Sequence, residues 1–124
     1  MICPCCSEKK YSDCCEPFHL GKEFPLTAET LMRSRYSAYA ISNGEYLMET
    51  THPSKRYLHD IEEMTEWGEN NLWTSLEIFN NSDVHKVEFK AYYTDPNGIH
   101  HVHHELSTFK KINQRWYYFS GKHK

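Results

Sequence analysis

The chain has 124 residues, 39% of them hydrophobic and 15% aromatic, with a formal net charge of −3. That length holds one domain of ordinary size plus a short appendage, and the charge argues against a general nucleic-acid binder, so no specific DNA binding is expected. No stretch approaches the roughly 18 consecutive apolar residues of a membrane span. Charge is unevenly split: residues 1–70 carry seven basic and twelve acidic side chains, residues 71–124 seven and five.

The first fifteen residues hold all five cysteines, Cys3, Cys5, Cys6, Cys14 and Cys15. Two close cysteines, a gap and two adjacent ones suit a tetrahedral thiolate cage. So short a segment has no core of its own, and a metal would have to fold it. The alternative, a disulfide framework, fits poorly: the count is odd, and no positively charged stretch with a following apolar run marks a secretory leader. A cytoplasmic protein is therefore expected, with Zn as the metal and Fe, which four thiolates also suit, as the alternative. Cys6 is the fifth thiol, either a competing ligand or free.

C-P-C-x-S-x-K-K-Y-x-x-C-C resembles the SEC-C motif, the small zinc-binding module found at the C-terminus of the SecA translocation ATPase. The resemblance implies Cys3, Cys5, Cys14 and Cys15 as ligands. It also implies that the Lys9-Lys10-Tyr11 knuckle is a docking surface for a protein or ribosomal partner; a solvated basic loop is the plainer reading. The motif usually has glycines where this chain has Cys6 and Glu8.

Glu16 to Pro25, punctuated by Pro17, Gly21 and Pro25, reads as a linker. Thr27 is a helix N-cap, and Ala28, Leu31, Met32, Arg35 and Tyr39 form a helical stripe over 28–41. Ser42-Asn43-Gly44 breaks it. A second helix is predicted at 45–51, stopping before Pro53, and a third at about 58–66, ending near Trp67-Gly68. Asp60, Glu62, Glu63, Glu66 and Glu69 read as a solvated face.

The second half alternates as strands do. Leu72, Thr74, Leu76 and Ile78 fall on one face of a first strand, leaving Trp73 and Phe79 opposite as candidate homodimer contacts or as residues packed under a helix. Val87, Phe89, Ala91 and Tyr93 point inward from a second strand over 84–93. Asp95-Pro96-Asn97-Gly98 is a turn. A third strand over 99–111, with a bulge allowed for, and a fourth over 115–119 complete an antiparallel meander behind the helices, an α+β arrangement.

That layout resembles the nuclear transport factor 2-like cone, which implies about three helices on a curved sheet. Leu31-Met32-Arg33-Ser34-Arg35-Tyr36-Ser37-Ala38-Tyr39, with Thr51-His52-Pro53-Ser54 and His103-His104-Glu105, resembles the YchJ-like family of bacterial proteins across essentially the whole chain. The resemblance implies a metal knuckle at 1–20 joined to a cone domain at 26–124. The family usually has arginines where this chain has Leu106 and Thr108.

Arg35 interrupts an apolar stripe, and a buried guanidinium needs a partner. Glu105 is the natural one, in a bidentate pair pinning helix to sheet or at the mouth of a cone pocket with Tyr39 and His104. Tyr36, Trp67 and Tyr118 are candidate walls. On a strand His101, His103 and Glu105 share a face, where a second metal site competes with an ordinary His-rich strand. No nucleophile elbow, P-loop or dinucleotide fingerprint is present. The sequence favours a metal-binding adaptor over an enzyme; a small-molecule-binding or enzymatic domain built on the pocket around Arg35 and Glu105 is the alternative.

Overall fold

The computed structural model describes residues 1–124. The chain opens with a tight loop closed by backbone bonds from Cys3 to Lys9 and from Tyr11 to Met1, each 2.8 Å. A 3-10 turn over Tyr11–Asp13 follows, then a one-turn helix α1, Glu16–His19. The predicted linker is thus helical over its first four residues. Pro17 is no breaker there, because first-turn N–H groups have no intrahelical acceptor to lose.

Helix α2 covers Ala28–Ala40, and the Thr27 hydroxyl caps it by accepting from the Thr30 N–H at 3.1 Å. Helix α3, Gly44–Glu49, is capped by the Asn43 side chain. The segment Pro53–Leu58, between the second and third predicted helices, forms a 3-10 turn that takes in Leu58, the expected start of the third. Helix α4 consequently begins later, at Ile61 after its Asp60 cap, and ends at Asn70. It runs through Gly68 because α2 crosses there: a Cβ on Gly68 would sit 2.5 Å from the Tyr39 carbonyl. The glycine marks a close approach, not a stop. The five predicted acidic residues of this region are all exposed.

Strands β1 (Leu72–Phe79), β2 (Lys86–Thr94), β3 (His100–Ile112) and β4 (Arg115–His123) form one antiparallel sheet in sequence order. Two bulges bend it. One, between Trp73 and Ser75, overturns the expected facing of β1. Leu76 is buried and Ile78 packs on the core as predicted, but Leu72 and Thr74 are exposed and Trp73 turns inward. A strict period of two breaks where an extra residue enters the ladder. The other bulge lies between Thr108 and Phe109. Asn113 and Gln114, with φ of 49° and 70°, make the β3–β4 hairpin turn. Strand β4 continues four residues beyond the expected Phe119, because Ser120–His123 pair back onto β3.

The α2 residues Ala28, Leu31, Met32 and Tyr36 pack on Leu76, Val87, Phe89, Ala91, Phe109 and Trp116 of the sheet. Burying each large apolar side chain contributes about 1.5–3 kcal/mol. The chain after α3 docks on β4: Tyr118 donates its N–H to the Thr50 carbonyl at 2.8 Å, and His52 donates to that of Tyr118 at 2.7 Å. This clamp leaves a cavity between the α2 and α4 helices and the inner face of the sheet.

Candidate metal centre and cone cavity

The sulfurs of Cys3, Cys5, Cys14 and Cys15 all lie within 4.8 Å of one another. Cys5 and Cys14 are 3.5 Å apart, Cys14 and Cys15 3.9 Å. An ion with sulfur bonds of about 2.3 Å places tetrahedral ligands about 3.8 Å apart, so the residues fit such an ion. Cys3, Cys5 and Cys15 are buried, Cys14 half-buried. Hydrogen bonding, chiefly from Cys15 and then from Ser7 and Cys14, outweighs burial and pulls the Cys5 thiol down to about 4. The same bond to Cys5, with burial, pushes Cys15 well above the ordinary thiol range. A negative charge is thus accommodated at Cys5, and metal ligation requires thiolates. The Ser7 hydroxyl lies 3.1 Å from the Cys14 sulfur, a contact of the kind that orients a ligand from outside the coordination sphere.

Cys6 is exposed, its sulfur 3.6 Å from the Pro4 carbonyl and outside the cluster. Its φ is 66° and that of Glu8 is 68°. These are the two positions where the motif usually has glycine. The loop keeps the left-handed backbone that glycine would adopt freely and holds it with ordinary side chains.

Two side chains that sequence reasoning missed dock this loop onto the cone. Arg33 of α2 donates from Nη1 to the Cys5 carbonyl at 2.9 Å. His19 of α1 places Nε2 2.8 Å from the Ser34 carbonyl and Nδ1 2.5 Å from the Tyr11 hydroxyl. A carbonyl only accepts, so Nε2 carries the proton and Nδ1 accepts from Tyr11. Burial holds His19 below the usual imidazole range, in keeping with this neutral form. Tyr11 is therefore turned inward, while Lys9 and Lys10 are exposed. No spacing rule connects Arg33 or His19 with the cysteines, because the contact forms only when the loop packs on α2.

The cavity has a volume of about 170 Å³. Arg35, Tyr39 and Glu105 line it, with Tyr118, His103 and the indoles of Trp67 and Trp73. The predicted Arg35–Glu105 pair does not form. Arg35 donates from Nη1 to the Leu47 carbonyl at 2.8 Å and the Thr50 hydroxyl at 2.7 Å. Glu105 accepts from His103 at 2.8 Å, from Tyr118 at 3.2 Å and from Ser107. Tyr118 connects the two, its ring 4.5 Å from the guanidinium carbon and its hydroxyl on the carboxylate. Burial works to raise the Glu105 carboxyl, but these donors outweigh it and hold the group below its usual range. His104 lies outside the cavity, 2.8 Å from Glu88 and beside Phe79, because alternation along β3 sends it to the other face.

The His-rich strand gathers no metal set. His101, His103 and His104 each take a separate carboxylate, from Asp95, Glu105 and Glu88. Trp73, one of the two suggested dimer contacts, packs instead among Tyr36, Tyr39, Trp67 and Tyr93. No helix is long and apolar enough to cross a membrane.

Residues 27–121 match the family described as YchJ, middle NTF2-like domain. A UPF0225 protein of Haemophilus influenzae (strain 86-028NP) is 45% identical over 120 residues, covering 94% of this chain and 74% of its own. One of Geobacter sulfurreducens is 41% identical over 126 residues, covering 97% and 78%. The solution structure of a SEC-C motif containing protein from Rhodopseudomonas palustris superposes with a TM-score of 0.88 at 37% identity over 98% of both chains. The crystal structure of a SEC-C motif containing protein from Psychrobacter arcticus gives 0.82 at 35% identity, covering 97% of this chain and 81% of that one.

Proposed function

The chain belongs to the YchJ-like family, and from that premise we propose that it is a zinc-binding adaptor of the cytoplasm, docking on a protein or ribosomal partner through its cysteine loop. The observation that carries this reading is the four-sulfur cluster, whose 3.5 and 3.9 Å spacings match a tetrahedral thiolate site. Cys3, Cys5, Cys14 and Cys15 would hold the ion. Zn²⁺ supplies no redox chemistry, and its role there is to order the loop. Four thiolates around a divalent cation leave two negative charges, which Arg33 and Lys9, both lining the same depression, offset. The exposed Lys9 and Lys10 form the contact edge; Tyr11 supports it from below through His19.

Elemental analysis of untagged protein tests the metal. About one zinc per chain in the wild type and none in Cys14→Ser is expected; iron in its place would reassign the ion, and no metal in reduced wild type would sink the reading. Docking is tested by capturing partners with metal-loaded protein beside a Lys9→Glu, Lys10→Glu variant. A defined partner retained by the wild type and lost in the variant supports the adaptor role, while equal capture by both removes the lysine edge from it.

A further inference from the structure

Arg35 is the only charged side chain in the buried set, 4% exposed, and no carboxylate stands within ion-pair distance of it. All of its hydrogen bonds leave from Nη1, so Nε and Nη2 have no protein acceptor. The same cavity is walled by Trp73, whose indole N–H is buried without a partner. Buried donors are nearly always satisfied, by protein, water or ligand, and a buried cation without a counter-charge is costly.

Glu105 does not fill that need. One of its oxygens accepts from His103, the other from Ser107 and Tyr118. The cavity therefore has donors to spare and an acceptor already engaged. Its shape adds a second constraint. Trp67, Trp73, Tyr39 and Tyr118 make the walls largely flat and aromatic. The volume of about 170 Å³ is close to that of an apolar cavity known to hold one benzene.

We propose that the cone cavity binds a small planar monocarboxylate with a body about one aromatic ring in size, its carboxylate on Arg35 and its ring against the aromatic wall that Trp67, Trp73 and Tyr39 form together. The ligand supplies the counter-charge that Arg35 lacks, and a planar carboxylate matches the two free N–H positions of a guanidinium fork. An amine of the same shape meets an engaged carboxylate and an unneutralised cation. This assignment is independent of the metal reading.

The test is a titration of ¹⁵N-labelled, metal-loaded protein with sodium benzoate, followed at the Trp73 indole and Arg35 Nε–H signals. Benzylammonium chloride and sodium acetate at equal ionic strength run beside it. Saturable shifts with benzoate, binding at least tenfold weaker for acetate and none for benzylammonium are expected. Arg35→Met should weaken benzoate at least tenfold, and Trp73→Phe, which keeps a ring but removes the N–H, should weaken it several-fold. The wild-type ligand comparison stands alone where a variant does not fold. No saturable shift with benzoate, equal binding of acetate, or equal binding of benzylammonium would overturn the proposal, as would undiminished benzoate binding by folded Arg35→Met.

Discussion

The imidazole of His19 donates to the backbone carbonyl of Ser34 at 2.8 Å, tying the end of the cysteine loop to the middle of α2. The same ring accepts from Tyr11 and packs edge-on against Tyr46, 4.7 Å between centroids. The loop and the cone thus share a polar chain from half-buried Tyr11 and His19 to buried Ser34, whose hydroxyl lies 2.7 Å from that of Tyr46. Replacing His19 by Ala leaves the Tyr11 hydroxyl without its acceptor and takes one donor from the Ser34 carbonyl, which keeps the Ser37 hydroxyl, and should cost about 1–3 kcal/mol. Urea unfolding read on the cone's tryptophans checks it; an unchanged midpoint would mean that the loop is not coupled to the body.

The same ring sets a pH dependence. Burial holds its folded value below the ordinary imidazole pKa of 6.5. The unfolded chain therefore takes up the proton first as pH falls. This contribution is fully present above the ordinary value and is lost as pH drops from there towards the folded value. Stability should decline more steeply from pH 7 to pH 5 in the wild type than in His19→Gln, with metal content measured at each pH so that ligand protonation is separated. Parallel curves would reject the assignment.

Cys6 and Glu8 hold a left-handed backbone at φ of 66° and 68°. That conformation costs an ordinary residue roughly 1–2 kcal/mol, and glycine avoids the cost while adding freedom to the unfolded chain. Cys6→Gly and Glu8→Gly should each leave metal stoichiometry intact and stabilise the loop, by about 1 kcal/mol at most. Competition with a chelator reads this as slower metal loss. Loss of metal in Cys6→Gly would instead make Cys6 a ligand.

How much of this was legible from residues alone varies with the physics. The cysteine cluster was readable because ligand chemistry and spacing are local, and α2 and β2 because an apolar period and a cap decide them. The β1 facing was not, since a bulge at Trp73–Ser75 depends on the partner strand. Arg35 was readable as an anomaly in an apolar stripe, but its partners were not: Leu47 and Thr50 reach it only because the segment after α3 clamps onto Tyr118. His19 and Arg33 carry no sequence signal for their docking contacts.

Gly121 lies where a Cβ would strike the Glu105 carboxylate and sit 2.8 Å from the Tyr118 hydroxyl. Gly121→Ala must therefore push Glu105 off its donors or open the β3–β4 ladder, at about 1–3 kcal/mol. Gly98→Ala meets open space and bears only the strain of its φ of 80°. A larger fall in melting temperature for Gly121→Ala, with altered His103 resonances, is expected. Equal falls would show that the carboxylate moves aside without cost.

Arg35 and Lys are not equivalent at this site. The guanidinium donates to the Leu47 carbonyl and the Thr50 hydroxyl from one nitrogen and sits over the Tyr118 ring, 4.5 Å from its centre. A lysine ammonium is a point charge that cannot keep both bonds and the stacking together. Arg35→Lys leaves a buried charge with poorer partners, whereas Arg35→Met removes the charge and keeps most of the volume. Because an unpaired buried charge is worse than an apolar replacement, Met should be tolerated better than Lys, each costing about 1–4 kcal/mol. Denaturant midpoints of the two variants decide it. Lys retaining wild-type stability while Met does not would show that charge alone, not the fork and the stack, is what α2 requires at this position.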